Sequence, residues 1–297
     1  MADILPELTA MKSKQHTRPL SRRLPLKPML LLLPAALLFA LFQLAPMLWV
    51  IINSFVYEDA WSFGNFTEIF SSPFYIQSFE NTLWISGVSS VGGLILAALF
   101  AASLQHAPPR PRRWLIAFTN MTGNFSGVPL AFAFIIILGV NGAITLQLKA
   151  WGVIEDFNLY SAAGLMLIYL YFQIPLGILL LYPAFDALKP EWEDAAKTMG
   201  AGRLAYWRYV ALPVLSPALL GTFIILFANA AGAYASTYAL TTGNYNMVTI
   251  RIASLVSGDL FLEPNMAAAL SVLLMVILGF ITAVYHWLLK RSYHAKC

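Results

Sequence analysis

The chain has 297 residues, 59% of them hydrophobic and only 11% charged, with a formal net charge of +4. A soluble globular protein carries about 25% charged residues, so this much apolar sequence must face lipid or other spanning helices. The positive charges stand in short clusters between apolar runs, a pattern of membrane topology and not of a nucleic-acid-binding face.

A single cysteine, Cys297, excludes an internal disulfide and a paired-thiol metal site. His16, His106, His286 and His294 are scattered without ligand spacing, so no metal site is expected. Cys297 beside His294 reads as a chain tail before it reads as a nucleophilic pair. Residues 1–27 are polar and basic and form an expected flexible cytoplasmic tail. The apolar run that follows exceeds a signal-peptide core in length, so it is expected to remain as an anchor.

A helix needs roughly 20 apolar residues to cross the hydrocarbon core. Six stretches qualify, at about 29–55, 82–104, 114–140, 161–185, 214–240 and 267–289. An amphipathic lead-in at 76–81 precedes the second. The expected fold is an all-α integral membrane protein of about six transmembrane helices. Its spanning domain covers 28–290, with a cytoplasmic loop at 186–213 and a short tail at 291–297.

The third stretch gathers Asn120, Gly123, Asn124, Gly127 and Pro129, and the fifth holds Asn229, Gly232 and Tyr234. Polar and helix-loosening residues at bilayer depth face protein or a water-filled cavity. Two readings stand: packing through small residues, or a conduit in which Asn120, Asn124, Asn229 and Tyr234 line the path.

Charge placement orients the chain. With the N-terminus inside, Lys12, Lys14, Arg18, Arg22, Arg23, Lys27, Arg110, Arg112, Arg113, Lys189, Lys197, Arg203, Arg208, Lys290, Arg291 and Lys296 are cytoplasmic. Only Lys149 and Arg251 of the 18 basic residues fall outside, so the positive-inside rule places both termini in the cytoplasm. The outer loops carry Glu58, Asp59, Glu68, Glu155, Asp156, Asp259 and Glu263, with Tyr57, Trp61, Phe63, Phe66, Phe70 and Phe74. Such a face attracts a cationic solute or a basic partner, or is a plain solvated loop with an interfacial aromatic belt.

The fourth-to-fifth loop has the richest local grammar. Pro190 suits a first helical turn, and Glu191, Glu193 and Asp194 favour the positive end of the helix dipole. Ala195, Ala196 and Met199 give a small apolar face, and Gly200 ends the helix in a left-handed turn. A second amphipathic piece at 204–210 leads to Pro213, where the next span starts. The three acids argue against a helix lying on the anionic inner leaflet; an alanine face suits a cleft on a partner protein.

The order Asp194-Ala195-Ala196, three residues, Gly200, nine residues, Val210-Ala211-Leu212-Pro213 resembles the "EAA" loop of binding-protein-dependent ABC importer permeases. The sequence departs from that pattern by Asp194 for glutamate and Val210 for isoleucine. The resemblance implies a type I ABC importer permease in the bacterial inner membrane, its loop docked on a separate ATP-hydrolysing subunit. Glu191, Glu193, Asp194, Ala195, Ala196, Gly200 and Pro213 then serve coupling. It also implies ATP-binding cassette subunits, a second, non-identical permease, a periplasmic binding protein and surrounding lipid as partners, and no nucleic acid. The chain lacks a Gly-x-x-x-x-Gly-Lys-Ser/Thr loop, so it is expected to bind no cofactor itself and not to be an enzyme; ATP and Mg belong to the partner subunits.

Residues 135–142 and 227–240 look like the spermidine/putrescine-type branch, which also includes aminoethylphosphonate, ferric, thiosulfate and sulfate permeases. Polyamine permeases often have an acid after the glycine of the fifth span; here Gly232 is followed by Ala233 and Tyr234. A polyamine or related small organic amine such as an aminophosphonate ranks first, a ferric ion or oxyanion next. An ion-gradient transporter would need ionisable groups at mid-membrane and often an internal repeat. The apolar stretches carry almost none, with Glu80 before the second and His286 near the end of the sixth, and the two halves show no repeat. A membrane-embedded enzyme would need convergent catalytic groups, and no such set stands out.

Overall fold

In a computed structural model of the chain, residues 26–105, 107–155, 157–258 and 262–294 are described, with side chains from 32 to 287. Expectations resting on residues 1–25, His106, Asp156, Asp259 and 295–297, and on the side chains of Lys27, Lys290, Arg291 and His294, lie outside these described residues. The chain divides into two compact units, Met1–Trp49 and Val50–Cys297.

Helix α1 (Leu26–Phe39) passes through a π turn at Ala40–Leu44 into α2 (Ala45–Asn53). The Ala45 amide donates to the Ala40 carbonyl, one residue wider than an α-turn. Pro46 explains the widening: it has no N–H to give and its ring crowds the preceding turn.

The second unit opens with a two-residue hairpin, β1 (Val56–Tyr57) against β2 (Ala60–Trp61), turned by Glu58 and Asp59 at φ 48° and 61°. Then come α3 (Gly64–Ser71) and α4 (Pro73–Gln105). Helix α4 has 33 residues, about 50 Å at the α-helical rise, longer than a bilayer core of about 30 Å. The expected lead-in at 76–81 is therefore the start of the helix itself, and Glu80 lies within α4, not before it. Its polar residues lower the hydropathy there without interrupting the backbone.

The third expected span is not one helix. Helix α5 (Pro109–Gly123) ends at a break, and α6 (Val128–Leu138) follows, then α7 (Ala143–Ala150) in a segment expected to be outer loop. By length and composition the candidate span here is Val128–Ala150, displaced outward from 114–140. Gly127, at φ 73°, adopts a backbone conformation that L side chains rarely take.

Helix α8 (Ala162–Asp186) matches the fourth expectation. A short helix α9 (Pro190–Thr198) follows, then α10 (Arg203–Tyr206), a π turn (Trp207–Ala211) and α11 (Leu212–Ala231). Here a second expectation is corrected. Pro213 does not start the span, because Arg203–Ala231 is one helical path. The Leu212 amide reaches back to the Trp207 carbonyl, so the chain absorbs Pro213 by widening a turn, as it does before Pro46. The fifth expected span also breaks, after Ala231, and resumes as α12 (Ala235–Thr241). Helices α13 (Val248–Ser257) and α14 (Pro264–His294) complete the chain. Among the described residues, six stretches are long and apolar enough to cross a membrane.

The α4–α8 pair is the centre of the second unit. Small residues let the two backbones approach: a Cβ on Gly93 would lie 2.9 Å from the Gln173 Cβ, and one on Gly177 2.7 Å from the Ala97 Cβ. Dispersion between close backbones holds helices together where lipid removes the hydrophobic drive. Gly177→Val should therefore destabilise the fold by about 1–3 kcal/mol through overpacking, measured as a lower melting temperature in detergent.

Candidate functional site: the cytoplasmic loop and the cavity between broken helices

Helix α9 starts with Pro190 at its first position and carries Glu191 and Glu193 in its first turn, as expected from the sequence. Lys197 Nζ lies 3.1 Å from Glu193 and 3.5 Å from Asp194, one turn earlier on the same face. The hydrogen bond that Lys197 donates to Glu193 is the main cause that raises Lys197 above the ordinary lysine value, with Asp194 adding to it, so Lys197 stays charged through neutral pH. Gly200, at φ 79°, closes the helix. Its amide donates to the Lys197 carbonyl at 2.9 Å and the Ala201 amide to the Ala196 carbonyl at 2.9 Å, the paired bonds of a Schellman turn.

The alanine face divides in two. Ala196 is buried in the chain's own inner core with Tyr206, Leu188 and Leu215, so it anchors the loop. Ala195 and Met199 stay exposed, and Trp192 joins them at the same helical face, with Met199 80% and Trp192 37% exposed. Leu204, 83% exposed, follows the turn. Sequence reasoning missed Trp192 and Leu204; the i, i+3, i+7 spacing of Trp192, Ala195 and Met199 is the signal that reveals the first. Glu191 and Asp194 are exposed, Glu193 and Pro213 half-buried.

The two helix breaks meet. Ser236 Oγ donates to the Gly127 carbonyl at 3.3 Å, joining the break at 124–127 to that at 232–234. The Ala233 carbonyl, which has no helical partner, accepts from Tyr169 Oη at 3.2 Å and Thr237 Oγ1 at 3.1 Å. Tyr169 Oη also lies 2.7 Å from Thr237 Oγ1. Tyr169 is fully buried, so these bonds satisfy backbone that hydrocarbon could not. Beside this junction is a cavity of about 380 Å³ whose lining includes Ser126, Phe172, Asn229, Tyr234 and Ser236.

Of the four path candidates, Asn229 and Tyr234 share this cavity. Asn120 and Asn124 do not line it. Their side-chain amides donate to the Ile116 carbonyl at 3.1 Å and the Asn120 carbonyl at 2.8 Å, closing the last turns of α5. Tyr169, Ser236 and Thr237 were missed, because isolated hydroxyls in apolar runs carry no motif. On the outer side, Glu58, Asp59, Glu68 and Glu263 line a second cavity of about 370 Å³. Among the described residues, no group of three or more His, Cys, Asp or Glu is placed to hold a metal ion.

A profile of the family described as "Binding-protein-dependent transport system inner membrane component" matches residues 93–293. The chain belongs to this family. It is a multi-pass inner-membrane protein with the fold of type I ABC importer transmembrane domains. Among curated relatives it is 24% identical over 267 residues to the ferric transport system permease protein FbpB of Actinobacillus pleuropneumoniae, covering 88% of this chain and 38% of that one. It is 24% identical over 258 residues to the spermidine/putrescine transport system permease protein PotB of Haemophilus influenzae, covering 82% and 88%. The chain thus spans about two fifths of the ferric-transport relatives it matches and most of PotB. In fold it resembles a chain of a bacterial alginate ABC transporter crystallised with an alginate pentasaccharide-bound periplasmic protein. That match has a TM-score of 0.72 and 19% identity over 89% of this chain and 93% of the other.

Tyr169→Phe removes one donor from the Ala233 carbonyl, leaving those of Thr237 and Thr249, and should cost about 0.5–1.5 kcal/mol, the net worth of one hydrogen bond. Thermal unfolding of the purified protein measures this, and an unchanged melting temperature would show that the carbonyl finds another donor.

Proposed function

We propose that this chain is the membrane-spanning permease of an ATP-driven importer, with α9 as the helix that docks on a separate ATP-hydrolysing subunit. The observation that carries the reading is the exposed face of Trp192, Ala195 and Met199, held outside the membrane by buried Ala196 and the Gly200 turn. An apolar face with acids on its flank suits a protein cleft better than an anionic lipid surface. Glu191, Glu193 and Asp194 strengthen the N-terminal turns of α9, and Gly200 sets the angle at which α10 leaves it. Pro213 stands behind the π turn through which the path enters the membrane. ATP and Mg act on the partner subunits in this reading. A second, non-identical permease chain pairs with this one, and a periplasmic binding protein delivers solute from outside.

The path runs through the cavity of Asn229 and Tyr234, and Asn120 and Asn124 act on it indirectly by closing the end of α5. We rank a polyamine or related small organic amine, such as an aminophosphonate, first as solute, and a ferric ion or oxyanion second. The likeness to PotB and the acids around the outer cavity support a cation, since charge of one sign concentrates the opposite sign. The inner cavity lining has no carboxylate, so a cation there would rely on amide, hydroxyl and aromatic groups.

A Cβ added at Gly200 meets no neighbouring atom within 4 Å, so the main internal cost of Gly200→Leu is backbone strain of about 1–2 kcal/mol. The spans should fold while uptake falls at least about tenfold, because a misdirected α9 no longer follows the ATPase; normal uptake would overturn the coupling role. Uptake of labelled putrescine and aminoethylphosphonate by a deletion strain carrying this chain tests the ranking. Uptake of neither would remove amines from first place.

A further inference from the structure

Helix α5 is fastened to α8 at two levels. At the inner end, Arg112 Nη2 donates to both Asp186 Oδ1 and Tyr182 Oη, and its guanidinium lies 4.9 Å from the centre of the Tyr182 ring. Farther out, Gly123 lies against Pro175, where an added Cβ would stand 3.4 Å from the Pro175 Cβ, in ordinary van der Waals contact. Arg112 and Gly123 are eleven residues apart on α5, and so are Asp186 and Pro175 on α8. The two helices therefore run antiparallel in matched register over about 16 Å.

Both ends of this pair are strategic. Asp186 is the last residue of α8, and only three residues separate it from α9. Gly123 is the last residue of α5, and the break at 124–127 beside the cavity follows directly. The short connection is itself tied down, since Gln105 Nε2 at the end of α4 donates to the Leu188 carbonyl at 3.1 Å.

We propose that Arg112 is a positioning residue that clamps the inner end of α5 to Asp186 and Tyr182, so that displacement of α9 is delivered along α5 to the break facing the cavity. This rests on the reading of α9 as the docking helix. The physical reason is stiffness. A helix transmits axial displacement along its length, and the Arg112–Asp186 pair ties α5 to the end of α8 that leads into α9. Arg112 suits the task because its fork holds carboxylate, phenol and ring at once. The side chains of Arg112 and Asp186 are 25% and 51% exposed, and a pair so exposed adds little to stability. Its removal should therefore disturb transmission before it disturbs folding.

The test uses the full complex with its ATPase subunits in proteoliposomes, and needs no transported solute. Spin labels are placed at Met121→Cys on α5 and Trp151→Cys after α7, with Cys297→Ser. Trapping with ATP and vanadate should change the distance between the labels. In Arg112→Gln and in Asp186→Asn, more than half of that change should vanish while nucleotide is still trapped and the melting temperature holds. Asp186→Glu, which keeps the carboxylate, should retain it. A distance that does not respond in the unsubstituted complex, a full response in both neutralised variants, or a loss equal in Asp186→Glu would overturn the proposal. If Gly200→Leu abolishes the response while the Arg112 and Asp186 variants keep it, only the clamp is wrong. If Gly200→Leu also leaves it intact, the docking role of α9 fails instead.

Discussion

Hydrocarbon offers no partner to a backbone N–H or C=O, so a spanning chain that leaves the helix must find one inside the protein. The chain leaves the helix at the ends of two of its spans, at 124–127 before Val128–Ala150 and at 232–234 after Arg203–Ala231. They are placed where they share donors: Ser236 serves the Gly127 carbonyl, and Tyr169 and Thr237 serve that of Ala233. The cavity exists because the breaks meet, and the breaks are tolerable because buried hydroxyls surround them. The depth of α8, which supplies Tyr169, is set in turn by the glycine-mediated approach of α4.

The same close packing links the membrane to the cytoplasmic face. Helix α8 carries Tyr169 near its outer end and Asp186 at its inner end, and runs almost directly into α9. The loop is not a free appendage, because Ala196 is sunk into the inner core and Gly200 closes the helix with two backbone bonds. What it leaves exposed is an apolar face of Trp192, Ala195 and Met199. A face held this firmly can carry force, which a flexible loop could not.

Much of this was legible in residue order. Six apolar runs marked the candidate spans. Pro190, the first-turn acids and Gly200 define α9 to within a residue, since caps and turns are local chemistry. Less legible were the interruptions. The cluster from Asn120 to Pro129 advertised loosening, but not that α5 would begin in the basic segment or that the span would shift outward to 128–150. Pro213 looked like a helix start because a proline usually is one; a π turn let the helix run through it. The hydrogen bonds of Asn120 and Asn124 to their own helix were also hidden, because an amide that lines a path and one that bonds its own helix read identically.

By itself, then, the sequence determined the solvent of the protein, its topology and the local form of its cytoplasmic helix, because hydropathy, charge and capping act over a few residues. Only the tertiary structure decided which polar groups meet. It joined Gly127 to Ser236, Tyr169 to Ala233 and Arg112 to Asp186, pairs more than sixty residues apart, the last two through side chains of α8. It also turned Ala196 inward and Trp192 outward, a division that rests on which side of α9 the inner core occupies.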